Sequence, residues 1–212
     1  MSKDEKGYEL FFDGGICPHP DGGFACYYGW VVKKDGEVKL TGSGFEKKES
    51  NVGSCGVELE AVCRGLRDAA KAGAKQLRVF GDSQTVIECL NGQSECHSDI
   101  MAQGCEQVKS TVDRFENISF NWIPREQNEH ADQLGRMAYK HSADMRRRNT
   151  LIRQANDLYT RYFQNTLSRK TRKEWQQSLT GKSELTQMSM KEIASVMTAT
   201  QQFVAEAFAQ RA

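Results

Sequence analysis

The sequence of 212 residues lacks any apolar run long enough to cross a membrane. Its first residues, M-S-K-D-E-K, are polar and charged, so we expect no secretory signal. Its seven cysteines are odd in number, contain no C-x-x-C pair and all lie between Cys17 and Cys105. We therefore expect reduced thiols in a cytoplasmic protein, which fit this pattern better than a disulfide framework does.

The sequence also lacks cysteines and histidines at the spacing typical of zinc sites. Cys89, Cys96 and His97 lie near one another in the chain. Their spacing matches no common zinc pattern, so the sequence does not predict a zinc site.

The composition indicates a globular chain with enough apolar material for a core, because 38% of its residues are hydrophobic and 27% charged. Its length suits one medium domain, or a domain with an appendage. Residues 1–142 hold 17 Lys and Arg against 22 Asp and Glu, whereas residues 143–212 hold 12 against 6. We predict an acidic domain over 1–142 and a basic extension over 143–212 that meets a polyanion.

The stretch Y-E-L-F-F-D-G-G, residues 8–15, is typical of a buried strand that runs directly into an aspartate and two glycines. The carboxylate of Asp13 at the rim of a sheet is desolvated unless it is paired or holds a metal. Gly14 and Gly15 allow a backbone, a ligand or a phosphate to come close. An ordinary turn is the alternative interpretation.

The remaining pattern predicts a mixed sheet with helices packed on it. Three strand-like runs joined by turns are followed by a helix, a strand, two helices, a strand and a closing helix. In that helix we expect Ala131, Leu134, Met137 and Ala138 to face inward. The order β-β-β-α-β-α-α-β-α predicts an α/β fold with a mixed five-stranded sheet flanked by helices, plus an α-helical C-terminal extension.

Three further acidic residues occur where this fold would place them near Asp13. Glu58 lies in the predicted first turn of the first helix, Asp82 follows the fourth strand, and Asp132 is on the second turn of the closing helix. Each has a structural alternative: Glu58 suits the helix dipole, and Asp82 can cap the next helix. Glu60 is a weaker candidate than Glu58, since the helical period turns it away.

Carboxylates that share one site raise each other's pKa values, and divalent cations relieve this repulsion. Oxygen ligands that leave room for water and phosphate favour Mg²⁺, with Mn²⁺ as a substitute. Two such ions are a standard device for phosphodiester displacement. The sequence thus indicates a metal site for phosphoryl chemistry.

Four segments, F-F-D-G-G, V-E-L-E-A-V, F-G-D-S-Q-T-V and P-R-E-Q-N-E-H-A-D-Q-L, resemble the catalytic motifs of type 1 ribonuclease H in the family's order, over roughly residues 7 to 141. The resemblance implies that Asp13, Glu58, Asp82 and Asp132 are catalytic, metal-binding carboxylates. It implies hydrolysis of the RNA strand of RNA-DNA hybrids, leaving a 3′-hydroxyl and a 5′-phosphate. We assign substrate contacts in this region to Gly14, Gly15, Ser54, Gln84 and Asn128.

The sequence departs from the family at places that contact the substrate. Gly53, Ser54 and Cys55 stand where the family usually has T-N-N, and Pro18–Asp21 replaces the usual G-N-P-G loop. The glycine-rich loop with a histidine and the basic protrusion of some members are missing. Because RNA is distinguished by its 2′-hydroxyls, the absence of these donors leaves strand preference open. A nuclease of this fold acting on another duplex and a non-catalytic nucleic-acid-binding module are the alternatives.

The basic extension lies outside the resemblance. Apolar residues at helical spacing near residues 151–163 and 193–208 predict helices, and Trp175 in the basic segment between them reads as exposed. We predict phosphate contacts from the cations of 146–148 and 169–173, above all Arg147, Arg169, Lys170, Arg172 and Lys173. In the alternative, the cations are solvated and the helices cover the sheet or form a dimer.

Overall fold

The computed structural model describes residues 7–163 and 169–209, and the side chains of residues 7–161 and 170–206. Two compact units are present. The first consists of the residues up to Pro18 and of Gly23–His141, and the second of His19–Gly22 and the residues from Ser142 onward. No helix in the described ranges combines the length and apolar character needed to cross a membrane.

The first unit is built on a mixed five-stranded sheet, which confirms the predicted fold class. Its strands are β1 Tyr8–Pro18, β2 Phe24–Lys34, β3 Glu37–Lys48, β4 Gln76–Gly81 and β5 Asn117–Trp122, in the order β3-β2-β1-β4-β5. Strands β1, β2 and β3 pair antiparallel, whereas β4 is parallel to β1 and β5 to β4. Asp35 and Gly36 have φ values of 54° and 84° and form the tight turn between β2 and β3.

Strand β1 continues past the point where it was expected to end. Asp13 pairs with Gly29 of β2 inside the antiparallel ladder. On the other side of β1, the parallel pairing with β4 ends at Phe11 and Phe80. Asp13 therefore lies where β1 and β4 part, and not at the end of its strand.

Four α-helices flank the sheet in this unit: α1 Gly53–Lys71, α2 Gln84–Leu90, α3 Asp99–Val112 and α4 Glu129–Lys140, the last preceded by a 3-10 turn at Arg125–Gln127. Two expected helix positions were wrong. Helix α1 begins at Gly53, so Glu58 lies in its second turn and not in the first. The 3-10 turn delays the start of α4, so Asp132 lies in the first turn of that helix.

The core of the first unit joins the sheet to α1, α2 and α3. Leu10 and Phe12 of β1 and Leu59 and Leu66 of α1 are among its fully buried side chains. Met137 of α4 was expected to face inward, but 52% of it is exposed. Ala131 and Gly135 are the buried residues of α4, because this helix lies close against the sheet through small residues.

The second unit contains the helices α5 Ala143–Phe163, α6 Arg169–Thr180 and α7 Met190–Ala209, with a 3-10 turn at Leu185–Gln187. Its core is Ala155, Tyr159, Leu185, Met188, Ile193 and Val196. Trp175, expected to be exposed, is half-buried and packs edge-on against Phe203 with ring centroids 5.4 Å apart.

A capping box begins α7. The Ser189 hydroxyl accepts a hydrogen bond from the backbone N–H of Glu192 at 3.2 Å, and the Glu192 carboxylate accepts one from the N–H of Ser189 at 2.7 Å. The carboxylate of Asp21, in the 19–22 segment of the same unit, accepts one from the N–H of Met190 at 2.6 Å. Three backbone N–H groups at this helix start are thus satisfied by side chains.

Candidate active site

Gly14 brings Glu58 next to Asp13. A Cβ at Gly14 would lie 2.6 Å from the backbone nitrogen of Glu58, closer than a side chain can come. The second turn of α1 therefore lies directly on β1. Glu58 faces Asp13 because a residue without a side chain stands between the two elements.

A pair of glycines, Gly29 and Gly135, brings Asp132 to the same place. Gly29, the β2 partner of Asp13, faces α4, where a Cβ would lie 2.7 Å from the nitrogen of Gly135 and would overlap the carbonyl oxygen of Ala131. The first turns of α4 thus lie against β2 beside Asp13. Asp132 follows Ala131 directly and reaches the site from this side.

Asn128 fixes the position of Asp82. Its Nδ2 donates to Oδ1 of Asp82 at 2.6 Å and to the carbonyl oxygen of Phe12 at 2.8 Å. The amide is 2% exposed, so it joins the end of β4 to β1 from inside the protein. We predicted a substrate contact for Asn128; the structure instead makes it a residue that positions Asp82.

The expected capping role of Asp82 is not seen. Ser83 is the residue at the cap of α2, and no side-chain hydrogen bond caps that helix. Because its carboxylate accepts from Asn128, Asp82 belongs to the acidic group and not to the helix start.

Burial and mutual repulsion make this group difficult to ionise. Burial, and then the charges of Asp82 and Asp132, raise the pKa of Asp13 to about 7, although Arg125 opposes the shift. Burial is also the main cause that raises the pKa of Glu58 to about 8, with contributions from Asp13 and Asp82. A hydrogen bond with Ser83 and the charge of Arg125 act in the opposite direction.

Two arginines that sequence reasoning missed stand beside Asp132. Nε of Arg136 donates to both carboxylate oxygens of Asp132 at 2.8 Å, and Nη2 of Arg125 lies 3.7 Å from Oδ1. The spacing of four residues between Asp132 and Arg136 on one helix was the available signal. Nothing local in the sequence indicates that Arg125 reaches this carboxylate.

Trp122 was also missed. Its indole Nε1 donates to the carbonyl oxygen of Asp82 at 3.1 Å, and 52% of the residue is exposed. A large aromatic surface is therefore held beside the acidic group. Such a surface is suited to stacking against a base or a sugar.

The donor set fits a hard divalent cation. Asp13, Glu58, Asp82 and Asp132 supply carboxylate oxygens, and the buried Oδ1 of Asn128 has no hydrogen-bond partner in the described part of the chain. Asp13 interacts electrostatically with Asp82 and Asp132, and Glu58 with Asp13 and Asp82. In the described ranges, no three of these carboxylates have oxygens all within 4.8 Å of one another.

The predicted substrate contacts have different surroundings. The space over Gly14 is filled by α1, and the space over Gly15 by the ring of Tyr27, whose hydroxyl oxygen a Cβ would meet at 2.6 Å. Both glycines therefore allow close packing at these places. Their contact with the substrate stays a prediction. Gln84 and Ser54 are exposed at the starts of α2 and α1, and Nε2 of Gln84 donates to Glu88.

The predicted phosphate-binding cations differ in their surroundings. Arg147 and Lys170 are exposed, and Nζ of Lys170 lies 3.9 Å from the carboxylate of Glu174. Lys173 forms an ion pair with Glu184, and Arg172 lies over the ring of Tyr159. Arg148 is buried and donates from Nη2 to the carbonyl oxygens of Thr186 and Met188, so it is structural. The side chain of Arg169 lies outside the described residues.

A mixed sheet in this strand order, with acidic side chains gathered where β1 and β4 part, defines a ribonuclease H-like α/β protein. A family model described as reverse transcriptase-like matches residues 19–138, more than half of the chain. The chain belongs to this family, which confirms the resemblance to ribonuclease H that the four motifs carry.

Relatives support the same placement. The chain is 31% identical over 77 residues to a bifunctional protein of Mycobacterium tuberculosis, a match that covers 36% of this chain and 21% of that protein. It is 27% identical over 129 residues to the ribonuclease HI of Halobacterium salinarum, covering 60% and 62% of the two chains. The chain thus spans about a fifth of the mycobacterial relative's length.

Solved structures show the fold. The structure of LC11 ribonuclease H1 in complex with an RNA/DNA hybrid matches with a TM-score of 0.56 and 21% identity. The match covers 63% of this chain and 96% of that chain. At this identity the similarity establishes the architecture alone.

Proposed function

We propose that this protein is a metal-dependent endonuclease that hydrolyses the RNA strand of RNA-DNA hybrids. The observation that carries the proposal is the convergence of Asp13, Glu58, Asp82 and Asp132 from four separate elements on one place. A fold does not need four clustered acids for its stability. Family membership and the ribonuclease HI relative support the substrate class.

The cofactor that suits this donor set is Mg²⁺, with Mn²⁺ as a substitute, held by Asp13, Glu58, Asp82 and Asp132. When bound, divalent cations supply the charge that activates water and stabilises the departing oxygen. The pKa values of Asp13 and Glu58 are raised to about 7 and about 8, so both carboxyl groups would have to release protons in order to hold the cation.

The residues around the carboxylates have positioning roles. Asn128 holds Asp82 against β1, Ser83 bonds to Glu58, and Arg136 orients Asp132. We assign no nucleophile to the protein itself, so water attacks the phosphodiester directly. The products are then a 3′-hydroxyl and a 5′-phosphate.

The substrate-facing groups are the exposed ones. Gln84 and Ser54 lie at helix starts next to Asp82 and Glu58 in the chain, and the ring of Trp122 flanks Asp82. In the second unit, Arg147 and Lys170 are available to phosphates, as is Arg169 by proposal. The free thiols of all seven cysteines suit the reducing cytoplasm in which we place this activity.

A second candidate is a nuclease of the same fold that acts on another duplex. Ser54 and Cys55 favour it, because they stand where the family has asparagines that contact the ribose side of a hybrid. A hydroxyl and a thiol are shorter and weaker partners for a 2′-hydroxyl than an amide.

Cleavage of end-labelled RNA-DNA hybrid with Mg²⁺ or Mn²⁺ tests the proposal, with double-stranded DNA and double-stranded RNA in parallel. We expect the full chain to cut the RNA strand of the hybrid only with metal, and Asp13→Asn and Asp82→Asn to be inactive. Asp113→Asn, which changes an exposed acid after α3, is the matched control and should retain full activity.

Two outcomes contradict the first candidate. Faster cleavage of another duplex would establish the second candidate instead. Salt-dependent binding of the hybrid without cleavage of any strand would mean that the protein is a nucleic-acid-binding module.

A further inference from the structure

Three thiols converge at a place separate from the carboxylates. Sγ of Cys89 lies 2.6 Å from Sγ of Cys96 and 3.1 Å from Sγ of Cys105. The three sulfur atoms all lie within 4.8 Å of one another. Cys89 and Cys105 are buried and Cys96 is half-buried. We call these three residues the thiol cluster.

The fold organises the thiol cluster in advance. Cys89 is in the last turn of α2 and Cys105 in the second turn of α3, and both belong to the core of the first unit. The loop between the helices turns at Gly92, with a φ of 69°, and returns Cys96 to the same place. Asn91 anchors the loop to the carbonyl oxygen of Phe120, and Ser98 caps α3. No large ordering of the chain is needed to bring the sulfurs together.

We propose that the thiol cluster binds one thiophilic d¹⁰ cation, Zn²⁺ or Cu⁺, through Cys89, Cys96 and Cys105. Thiolates select these soft ions over Mg²⁺. A Zn–S bond is about 2.3 Å, so tetrahedral geometry places two sulfurs on one ion about 3.8 Å apart. From separations of 2.6 and 3.1 Å, each sulfur needs to move outward by less than about 1 Å.

The surroundings suit a cation with one position left for an outside ligand. Cys96 is half-buried, so water or a free thiol has access to the ion from its side. Burial, and then the neighbouring Cys96, raise the pKa of Cys89, whereas Cys105 and Lys109 lower it. Burial and both neighbouring thiols raise the pKa of Cys105. A bound cation stabilises the thiolates in such a site, and each coordinated thiol releases its proton to solvent.

The number of thiols favours a cation over a disulfide. A disulfide joins two sulfurs and leaves the third without a role, and it requires an oxidant such as glutathione disulfide. All three sulfur atoms lie within 4.8 Å of one another, as the ligands of a single ion must. The experiment must therefore distinguish disulfide formation from binding of a cation.

Such a site goes beyond the nuclease activity and does not depend on it. Helix α2 starts at Gln84, two residues after Asp82, and carries Cys89 at its other end. A cation in the thiol cluster would fasten α2 to α3 and to the loop between them. It would stabilise the fold in the way that structural zinc sites do.

The test uses the full chain, reduced and freed of metal by a chelator. Zn²⁺ is titrated in competition with a chromophoric chelator, Cu⁺ is titrated under anaerobic conditions in a second arm, and Co²⁺ reports thiolate ligands by its charge-transfer absorption. We expect one Zn²⁺ or Cu⁺ per chain and a thiolate band with Co²⁺. Cys96→Ser should weaken binding at least tenfold, and the Cys17→Ser control should not.

Cys96 is in a loop, so its substitution tests the site without removing a core side chain. Asp13→Asn should leave Zn²⁺ binding unchanged, which separates the thiol cluster from the carboxylates. The proposal is overturned if the folded parent gives no thiolate band with Co²⁺, or if Cys96→Ser binds Zn²⁺ as tightly as the parent. A Cys89–Cys96 disulfide that forms with glutathione disulfide despite saturating Zn²⁺ would also overturn it.

Discussion

At the residue scale, Asp13 and Glu58 are held in a site that disfavours their charged forms. Their pKa values of about 7 and about 8 lie above the ordinary values of 3.8 and 4.5. At a pH between the ordinary and the raised pKa of each group, the folded chain holds a proton that the unfolded chain has already released. The contribution of these two carboxyl groups to the free energy of unfolding of the metal-free protein therefore falls as pH rises from about 4 to about 8.

Asp13→Asn should stabilise the metal-free protein, because an amide has no charge to desolvate. In chelator at pH 8, we expect its free energy of unfolding to exceed the parent's by on the order of 2 kcal/mol. The difference should disappear near pH 4, where the carboxyl is protonated in the folded chain. Urea unfolding at the two pH values measures it, with Asp113→Asn as control. If the difference in free energy of unfolding between Asp13→Asn and the parent is the same at pH 8 and at pH 4, the charge of Asp13 is not buried.

Asn128 fixes the Asp82 carboxylate relative to β1, because its side chain donates hydrogen bonds to both Asp82 and Phe12. Asn128→Ala removes both hydrogen bonds, to Asp82 and to Phe12, so Asp82 loses its fixed orientation. We expect kcat to fall by about 10- to 100-fold, as for partners that orient metal ligands, while KM for the hybrid changes little. Steady-state kinetics and circular dichroism check this, with Gln127→Ala as the exposed control. A larger effect on KM than on kcat would restore the substrate-contact role.

At the element scale, glycines decide how closely helices approach the sheet. Gly29 and Gly135 face each other between β2 and α4, and neither place has room for a side chain. This close approach is what carries Asp132 to Asp13.

Gly29→Ala should push α4 away from the sheet. We expect a loss of about 1–3 kcal/mol in the free energy of unfolding, the usual result of overpacking, together with reduced cleavage activity. Ser43→Ala is the matched control, because Ser43 pairs with Gly29 on β3 and is exposed. Chemical unfolding of both variants tests the effect. An unchanged free energy of unfolding in Gly29→Ala would mean that α4 can move away from the sheet without loss of stability.

Glu192, at the start of α7, makes the stability of the second unit depend on pH in the acidic range. Hydrogen bonds from Lys182 and from Ser189 lower the pKa of Glu192 to about 2. Because the folded pKa is lowered, the contribution of this carboxylate is complete above its ordinary value of 4.5 and is lost as pH falls toward 2.

Glu192→Gln should therefore lower the unfolding temperature at pH 6 and have progressively less effect as pH falls from about 4.5 to about 2. Thermal unfolding followed by circular dichroism measures the change. Glu206→Gln, at an exposed position on the same helix, serves as control. If the two variants have equal effects at pH 6, the capping box does not stabilise the helix.

At the scale of the whole molecule, charge is divided between an acidic part and a basic part. The first 142 residues carry an excess of acids, which by itself repels a polyanion. The exposed cations of the second unit are therefore the candidates for salt-dependent affinity.

Arg147→Gln and Lys170→Gln should weaken hybrid binding and reduce the slope of log K against log salt concentration by about 1 for each phosphate that the variant no longer neutralises. Lys173→Gln should have less effect on the slope, because the ammonium of Lys173 pairs closely with Glu184, whereas that of Lys170 lies 3.9 Å from Glu174. Binding measured by fluorescence anisotropy over a range of salt concentrations distinguishes them. An unchanged slope in Arg147→Gln and Lys170→Gln would mean that these cations are merely solvated.

Local patterns in the sequence were sufficient for the number and order of the elements of the first unit and for the family, but not for where β1 ends. The run before Asp13 has the aromatic and aliphatic residues of a strand, and the segments around Glu58, Asp82 and Asp132 have the spacing of strand ends and helix starts. A few neighbouring residues are enough to indicate a strand, a helix or a helix start, so these features can be predicted from short stretches of sequence.

Only the tertiary structure decided which side chains meet. Asn128 reaches Asp82 and Phe12 across more than forty residues, and Cys105 joins Cys89 and Cys96 from another helix. Met137 turned outward because α4 packs on glycines. The physical reason is that contacts between distant residues depend on how closely elements pack, and no local periodicity encodes that distance.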